Sequence, residues 1–445
     1  MGGGLLQLVA YGAQDAYITG NPHITFWKVL YKRHTNFAVE AMRVNFTGSP
    51  MYGQRIVAVV NRNADLVWKT YVEVTLPDTS FGSDEDVNWS SGAQRRLGYL
   101  LLKQVEVEIG GQIIDRHYGE WLYLWETLTA DFDTALKLDN MVGGEYAGAP
   151  STITTADACG GRPKVLYVPL QFWFNRNPGL ALPLIALQYH EVRFNIIMED
   201  AINLVNGTAN NAGTIAIQAA RLPALKDMAL YLDYVYLDVD ERRRFAQESH
   251  EYLIDQLQYT GQQTITTASG RLDLTLNHPV KELIWVFQNE AKTDCGSAAS
   301  IAAGYTKPFS YDDIVNRARL QLNGQDRFDE RYGDYFWKVQ PYQHHTGGGF
   351  ARASINSADP IYPSISRTAP NPINVYSFAI QPEEHQPSGT CNFSRIDTAT
   401  LVFDSITTSA GNFPSKTTPY NFRMYAVNYN IFRIMSGMGG LAYSN

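Results

Sequence analysis

Alternating apolar and polar residues dominate the chain. Val72, Val74 and Leu76 lie on one face of a run whose other face is polar, and residues 271–277 repeat this pattern in the second half. A period of two is typical of half-buried antiparallel strands. Similar short runs recur along both halves, separated by segments rich in Gly, Ser and Pro, which predicts a β protein with long loops.

One segment has a helical pattern instead. Large apolar residues spaced by three and four positions form a stripe from Trp121 to Leu136, which is typical of an amphipathic helix. The Gly143-Gly144 pair that follows is a typical helix stop. We therefore predict one helix over residues 119–141, and we interpret its aromatic stripe as core packing and not as a cofactor site.

A short motif occurs twice. Gly111 and Gln112 follow an alternating run and precede Tyr118, Gly119 and an acidic residue, and the second half repeats this arrangement with the same spacing to within one residue. The second copy consists of Gly324, Gln325, Tyr332 and Gly333. A single recurrence favours two tandem copies of one domain over short solenoid repeats; chance is the alternative, because Gly and Tyr are common in this chain. We predict that both copies are tight turns and packing anchors, not ligand sites.

The densest charge run lies at residues 239–250 and predicts the junction between two domains. The predicted division is an N-terminal arm at 1–25, a first domain at 26–238, a linker at 239–250, a second domain at 251–436 and a C-terminal tail at 437–445. The arm is too short for its own core, so we expect it to pack on this chain or on a neighbour. Each half has roughly eight short strands and few helices, which is typical of an antiparallel jelly roll. The predicted fold class is all-β, with two tandem eight-stranded antiparallel jelly rolls, long loops and few short helices.

Composition and charge narrow the classes of function. The chain has 445 residues, of which 45% are hydrophobic and 18% charged, as in globular proteins. The net charge is −8, and acidic residues surround the only tight basic run, Arg242-Arg243-Arg244. We interpret that run as a solvated connector and predict no direct nucleic-acid contact. The longest apolar stretch, residues 180–187, is too short for a membrane span of about 20 residues, and no secretory signal is expected ahead of the first basic residue, Lys28.

Motifs for chemistry are not found. The sequence lacks Gly-x-Ser-x-Gly, His-Glu-x-x-His and phosphate-binding glycine motifs, and its three widely spaced cysteines fit neither a disulfide framework nor a zinc site. His344-His345 is interpreted as a surface-loop pair. We therefore predict no enzymatic activity, no cofactor, no metal and no catalytic residue. Asn88 and Asn206, which begin Asn-x-Ser/Thr sequons in predicted loops, are glycosylation candidates only if the chain meets the glycosylation machinery.

Several long segments carry a family resemblance. Residues 178–191 are Pro-Gly-Leu-Ala-Leu-Pro-Leu-Ile-Ala-Leu-Gln-Tyr-His-Glu, and residues 433–443 are Arg-Ile-Met-Ser-Gly-Met-Gly-Gly-Leu-Ala-Tyr. Together with residues 8–15, 19–26, 322–328 and 386–397, they resemble the major capsid proteins of nucleocytoplasmic large DNA viruses. The resemblance is closest to the members from algal and amoebal viruses. The segments span both ends and the middle, so the resemblance covers essentially the whole chain.

The resemblance implies a structural role on a double jelly-roll fold. It implies a homotrimer that forms a pseudo-hexagonal capsomer, contacts with neighbouring capsomers and with minor capsid and penton proteins, and an icosahedral shell over an internal membrane. It places the protein in the outer shell of the virion, with assembly in the host cytoplasm, and it implies that the long loops at 143–162, 289–313, 345–374 and 405–419 lie mostly outward. The alternative is a jelly-roll surface protein that binds a glycan or receptor, because fold alone does not assign function.

Overall fold

Antiparallel strands build both halves of the chain. The computed structural model describes residues 4, 9–24, 26–27, 29, 31–77, 96–143, 165–204, 222–290, 309–347, 354–356, 364–366, 371–405 and 419–443. The four loops expected to lie outward fall mostly outside these residues. Strand content is high because β-branched and aromatic residues alternate with polar ones in the described segments.

A five-stranded sheet and a four-stranded sheet build the first half. Its strands are β1 (Phe37–Asn45), β2 (Arg55–Val59), β3 (Leu66–Thr75), β4 (Leu102–Ile109), β5 (Gln112–Tyr118), β6 (Val165–Pro169), β7 (Leu182–Pro183), β8 (Val192–Met198) and β9 (Asp227–Leu237). Sheet 1 has the order β1-β9-β3-β6, with the short β7 also paired to β3, and sheet 2 has the order β2-β8-β4-β5. All of these pairs are antiparallel.

The second half repeats this topology. Its strands are β10 (His250–Ile265), β11 (Ser269–Asp273), β12 (Pro279–Asn289), β13 (Val315–Leu322), β14 (Gln325–Asp326), β15 (Arg331–Tyr332), β16 (Ser354–Asn356), β17 (Ser364–Ser366), β18 (Asn374–Ser377), β19 (Cys391–Asn392), β20 (Ala399–Ser405), β21 (Tyr420–Met435) and β22 (Met438–Leu441). Sheet 3 has the order β10-β21-β12-β18 and sheet 4 the order β11-β20-β13-β14. Eight strands of each half thus recur in the same order, two sheets to a half, which is the double jelly roll expected from the sequence.

Short helices connect the strands. Their bounds are Ala16–Thr19, Leu97–Leu101, Gly119–Thr129, Phe132–Val142, Trp173–Arg176, Ala201–Leu204, Val239–Gln247 and Gln340–His344, with a π-helix at Tyr335–Val339 and 3₁₀ turns at Pro178–Leu180 and Phe393–Arg395. The Val239–Gln247 helix lies between the two halves and has no buried residue. Arg242 of this helix forms an ion pair with Asp65 of the first half at 2.9 Å.

The prediction of one helix over residues 119–141 is wrong, because two helices occupy this segment. Ala130 and Asp131 have extended backbones between them. The Asp131 carboxylate accepts a hydrogen bond from the backbone N–H of Thr134 at 3.0 Å and so caps the second helix. The predicted stop is confirmed, since the second helix ends at Val142 and Gly143 has a φ of 82°.

Sheet 3 is buried on both of its faces, and this joins the two halves. One face contributes side chains such as Leu283, Trp285 and Phe422 to a core within the second half. The opposite face contributes Ile284 and Tyr425 to the core of the first half. A sheet covered on both sides has strands with apolar runs on both faces, as in residues 283–287 of β12.

Candidate functional site

The repeated motif occupies matching hairpins in the two halves. Gly110 and Gly111 form the two-residue turn between β4 and β5, and Asn323 and Gly324 form the one between β13 and β14. Their φ angles are 60°, 86°, 50° and 76° in that order. Two successive residues with positive φ make a type I′ turn, which matches the twist of a hairpin and favours Gly or Asn. Gln112 and Gln325 begin the strands that follow these turns.

The tyrosine and glycine of each copy sit where the hairpin meets the next segment. Tyr118 ends β5 and Gly119 begins a helix, while Tyr332 ends β15 just before Gly333. A Cβ on Gly119 would overlap the backbone oxygens of Tyr99 and Leu102, and a Cβ on Gly333 would overlap the backbone oxygen of Val315. Leu102 and Val315 are the first residues of β4 and β13, so both glycines lie against the start of the equivalent strand.

The first copy makes a buried polar contact between the halves. Glu120, next to Gly119, accepts hydrogen bonds from Arg423 Nε and Nη2, each at 2.7 Å. The hydroxyl groups of Tyr425 and Tyr311 donate to the same carboxylate at 2.6 and 3.1 Å. Arg423 and Tyr425 lie on β21, so this cluster fixes the helix of the first half on sheet 3 of the second half.

Electrostatics in this cluster follow from burial and pairing. Burial disfavours the charged form of Arg423, but the adjacent Glu120 carboxylate outweighs burial and raises the pKa of the guanidinium. Burial, reinforced by Glu120, also raises the pKa of Tyr425 well above its usual value. The cluster therefore holds one paired charge of each sign and neutral tyrosines.

Aromatic rings cover the same contact. Tyr259 and Tyr425 stack with ring centroids 4.9 Å apart on sheet 3. Tyr118 of the first half packs on this pair, with its ring centroid 4.9 Å from that of Tyr259, and the Trp121 ring lies 5.7 Å from that of Tyr425. The segment from Tyr118 to Trp121 thus supplies both the polar and the aromatic parts of the contact.

A second buried ionic group involves His345. Its Nε2 lies 3.0 Å from a Glu282 carboxylate oxygen and its Nδ1 lies 3.0 Å from Glu383, with the imidazole fully buried. Burial alone would lower the pKa of His345, but the two carboxylates outweigh it and raise the pKa to about 9. The interpretation of His344-His345 as a surface-loop pair is therefore wrong for His345, while His344 is half-buried and donates from Nδ1 to the backbone oxygen of Ile380 at 3.0 Å.

Folding stability is expected to fall between pH 7 and pH 10 because of His345. A folded-state pKa raised from 6.5 to about 9 stabilises the fold fully below the unfolded value, and this contribution disappears as pH rises through the folded value. The loss is about 3 kcal/mol. Urea unfolding midpoints measured across this range should fall in the wild type and change less in His345→Gln. The neighbouring histidine gives the control, because His344→Gln leaves both ion pairs of His345 in place and should keep the wild-type pH profile.

The second copy of the motif makes no such contact within the chain. Tyr332 is 62% exposed, and its ring and hydroxyl contact only Arg317 among the interactions found in the described residues. The Asp334 side chain, at the position of Glu120, is 56% exposed and pairs with Lys338 at 2.6 Å. Tyr332 and Asp334 are therefore presented to solvent, although their counterparts Tyr118 and Glu120 pack against sheet 3.

Sheet 1 has one face that is open to solvent, whereas both faces of sheet 3 are covered. Its inner residues, Val72 and Leu230, are fully buried. On the opposite face, Tyr71 and Tyr231 stack with ring centroids 5.1 Å apart, and the ring of Tyr167, which is 37% exposed, lies 6.0 Å from that of Tyr71. No other part of the described chain covers these rings in the way that Tyr118 covers sheet 3.

The N-terminal arm is also open. None of its described residues from 9 to 24 is buried. Large apolar side chains here and just beyond are strongly exposed, with Tyr17 at 93%, Ile24 at 89% and Trp27 at 84%. Exposed apolar residues in this number mark a contact surface, so of the two expected places for the arm, the structure does not support packing on its own chain.

The remaining predicted site residues can be placed briefly. Asn88 and Asn206 lie outside the described residues. Within the described ranges, no group of three or more His, Cys, Asp or Glu side chains could hold a metal ion, and no helix there is long and apolar enough to cross a membrane. Sequence reasoning missed Arg423 as a partner of the motif; the acidic position shared by both copies was the available signal.

Comparison with known proteins covers the whole chain. A family model described as major capsid protein N-terminus matches residues 25–238, and one described as large eukaryotic DNA virus major capsid protein matches residues 241–440. The major capsid protein of Pyramimonas orientalis virus is 46% identical over 457 residues, with 100% of both chains covered. That of Paramecium bursaria Chlorella virus 1 is 40% identical over 486 residues, again with 100% of both covered.

Solved structures agree with the sequence comparisons. A chain in a quasi-atomic model of the PBCV-1 virus capsid matches with a TM-score of 0.73 and 36% identity, covering 95% of this chain and 100% of that one. The Faustovirus major capsid protein matches with a TM-score of 0.69, covering 96% of this chain and 94% of that one. At 13% identity, the second match supports the fold alone.

Proposed function

The chain belongs to the major capsid proteins of large eukaryotic DNA viruses, and on this premise we propose that three copies form a pseudo-hexagonal capsomer of an icosahedral outer shell. Family membership makes the protein a structural component of the virion. The trimer is supported by the two jelly rolls of each chain, because six similar domains from three chains can fill a six-fold position of a lattice. The division into domains at 26–238 and 251–436, joined at 239–250, is part of this proposal.

The observation that carries the proposal is the unequal exposure of the two halves. The first copy of the motif is buried against sheet 3, whereas the second copy and the outer face of sheet 1 are open. The contact between motif and sheet is made once within the chain, and a second motif and a second sheet remain open. Such a chain is suited to a closed ring, in which neighbouring copies supply the missing partners. The arm at residues 1–25, whose described residues are not buried, and the tail at 437–445 are proposed to contact neighbouring capsomers or minor capsid and penton proteins.

The location of the protein follows the same proposal. We place it in the outer shell above an internal membrane, after assembly in the host cytoplasm, with no direct contact to the genome. The net charge of −8 supports that separation, because binding to phosphates needs clustered Lys and Arg.

Mass measurement and electron microscopy of the purified protein test the trimer. The expected result is a species of three chains that survives dilution to nanomolar concentration and shows a hexagonal outline, because permanent interfaces of this kind bury more than about 2,000 Å² in total. A chain that stays monomeric at all concentrations and binds a defined glycan would contradict the proposal and favour a glycan-binding surface protein.

A further inference from the structure

We propose that the exposed second copy of the motif, centred on Tyr332 and Asp334, docks on the outer face of sheet 1 of a neighbouring copy of this chain. This inference rests on the proposed trimer and names the two surfaces that meet in it. Its basis is the contact already present inside one chain, where the first copy docks on sheet 3.

The two sheets correspond position by position. Tyr71 precedes Gly111 by the same number of residues as Ile284 precedes Gly324. In sheet 1, Tyr71 pairs with Tyr231, and in sheet 3, Ile284 pairs with Tyr425. Tyr231 is therefore the counterpart of Tyr425. The ring of Tyr425 packs on Trp121, and its hydroxyl group donates a hydrogen bond to Glu120.

The inner faces agree with this alignment. Val72 and Val74 of β3 point into the core of the first half, and their counterparts Trp285 and Phe287 point into the core of the second half. The face that carries Tyr71 and Tyr231 is consequently the counterpart of the face of sheet 3 that is covered by the first half. In a single chain, nothing in the described residues covers it.

The docking motif corresponds in the same way. Tyr332 stands where Tyr118 stands, and Asp334 stands where Glu120 stands, each after a hairpin with the same type of turn and a glycine pressed against the preceding strand. Tyr118 packs on a stacked tyrosine pair, Tyr259 and Tyr425. In sheet 1 the counterparts of Tyr259 and Tyr425 are Arg43 and Tyr231, so Tyr332 of the next chain would lie over Arg43, beside the stacked rings of Tyr71 and Tyr231.

The outer face of sheet 1 also offers a cation, among acids of the same face such as Asp233 and Glu73. Glu120 is neutralised by Arg423 of sheet 3. At the corresponding place in sheet 1 the residue is Ala229, but Arg43 lies beside Tyr231 on the adjacent strand β1. The Arg43 side chain is 43% exposed and pairs with the equally accessible Asp227. In the proposed contact, Arg43 lies between Asp227 of its own chain and Asp334 of the next chain.

The contact within a chain and the proposed contact between chains alternate around a ring of copies. Within one chain, the first jelly roll presents its motif to the sheet of the second, and between chains the second presents its motif to the sheet of the first. Such head-to-tail contacts form a ring when the rotation closes, and three chains supply six such steps.

Cysteine cross-linking tests the contact directly. In a chain whose Cys159, Cys295 and Cys391 are replaced by serine, Tyr332→Cys and Arg43→Cys are introduced together, because Tyr118 and Tyr259, their counterparts, have ring centroids 4.9 Å apart. A flexible bis-maleimide cross-linker should give covalent dimers and trimers on a denaturing gel, with no larger species. Each single variant should give no ladder.

Asp334→Arg provides a second measurement. Reversing this exposed charge should raise the concentration at which trimers dissociate by about tenfold or more, while circular dichroism stays unchanged. The matched control, Glu251→Arg, changes an acid of similar exposure, 57%, and should leave dissociation unchanged. If the wild-type chain forms trimers but the double-cysteine variant gives no cross-linked ladder, or Asp334→Arg does not weaken the trimer, the proposed contact is wrong. The proposal of a trimer would then still stand. A wild-type chain that never trimerises would instead overturn the proposed function.

Discussion

Replacing Arg423 by methionine is expected to lower the free energy of unfolding by about 3–5 kcal/mol, because it leaves the buried Glu120 carboxylate without its cation. The side chain of Glu120 is 13% exposed and that of Arg423 is 9% exposed. The two form paired hydrogen bonds of 2.7 Å, the geometry in which Arg binds carboxylates most strongly. The tyrosine hydroxyls that remain can donate to Glu120 but cannot neutralise it.

Urea unfolding followed by tryptophan fluorescence would measure this loss, since Trp121 lies at the contact. The control is Arg433→Met on the same strand. Arg433 pairs with Glu251 at 2.7 Å, but both side chains are about half exposed, so its loss should cost less than about 1 kcal/mol. The double variant Glu120→Leu with Arg423→Met should be more stable than Arg423→Met alone, because it buries no unpaired charge. Equal effects at the two arginines would show that the cluster does not join the halves.

Much of the fold could be predicted because the pattern that encodes it is local. Alternation in segments such as residues 69–76 and 271–277 indicates strands with one buried face, and the repeated Gly-Gln motif indicates two related domains. Both hairpin turns carry Gly or Asn because their φ angles are positive. These features depend on neighbours a few residues away, which a single sequence displays.

The parts that could not be predicted depend on distant partners. Nothing near His345 indicates that Glu282 will lie beside it, and nothing near Glu120 indicates Arg423. The break at Ala130 and Asp131 was missed because the apolar stripe continues across it, although Asp131 is a favoured capping residue. A clue to the contact between halves was present in β12, where residues 283–287 are all apolar, a pattern typical of a strand buried on both faces.

Gly119→Ala is expected to have an equally large effect, above about 4 kcal/mol, a cost reached only when a substitution strains or breaks the native packing. The added Cβ would overlap the backbone oxygens of Tyr99 and Leu102. Backbone atoms cannot move aside as a flexible side chain can, so the helix that carries Glu120 would have to shift away from sheet 3. Thermal unfolding of the purified variant, together with its soluble yield, would measure the effect.

Gly333→Ala extends the argument to the second half, because its Cβ would overlap the backbone oxygen of Val315. Both substitutions should therefore be costly, whereas Gly111→Asn should cost less than about 1 kcal/mol, since a Cβ at Gly111 meets no atom within 4 Å and Asn tolerates a positive φ. If Gly119→Ala were as mild as Gly111→Asn, the glycine would not be a packing anchor. If only Gly333→Ala were mild, the two copies would not be structural equivalents, and the alignment of sheet 1 with sheet 3 would lose its reference point.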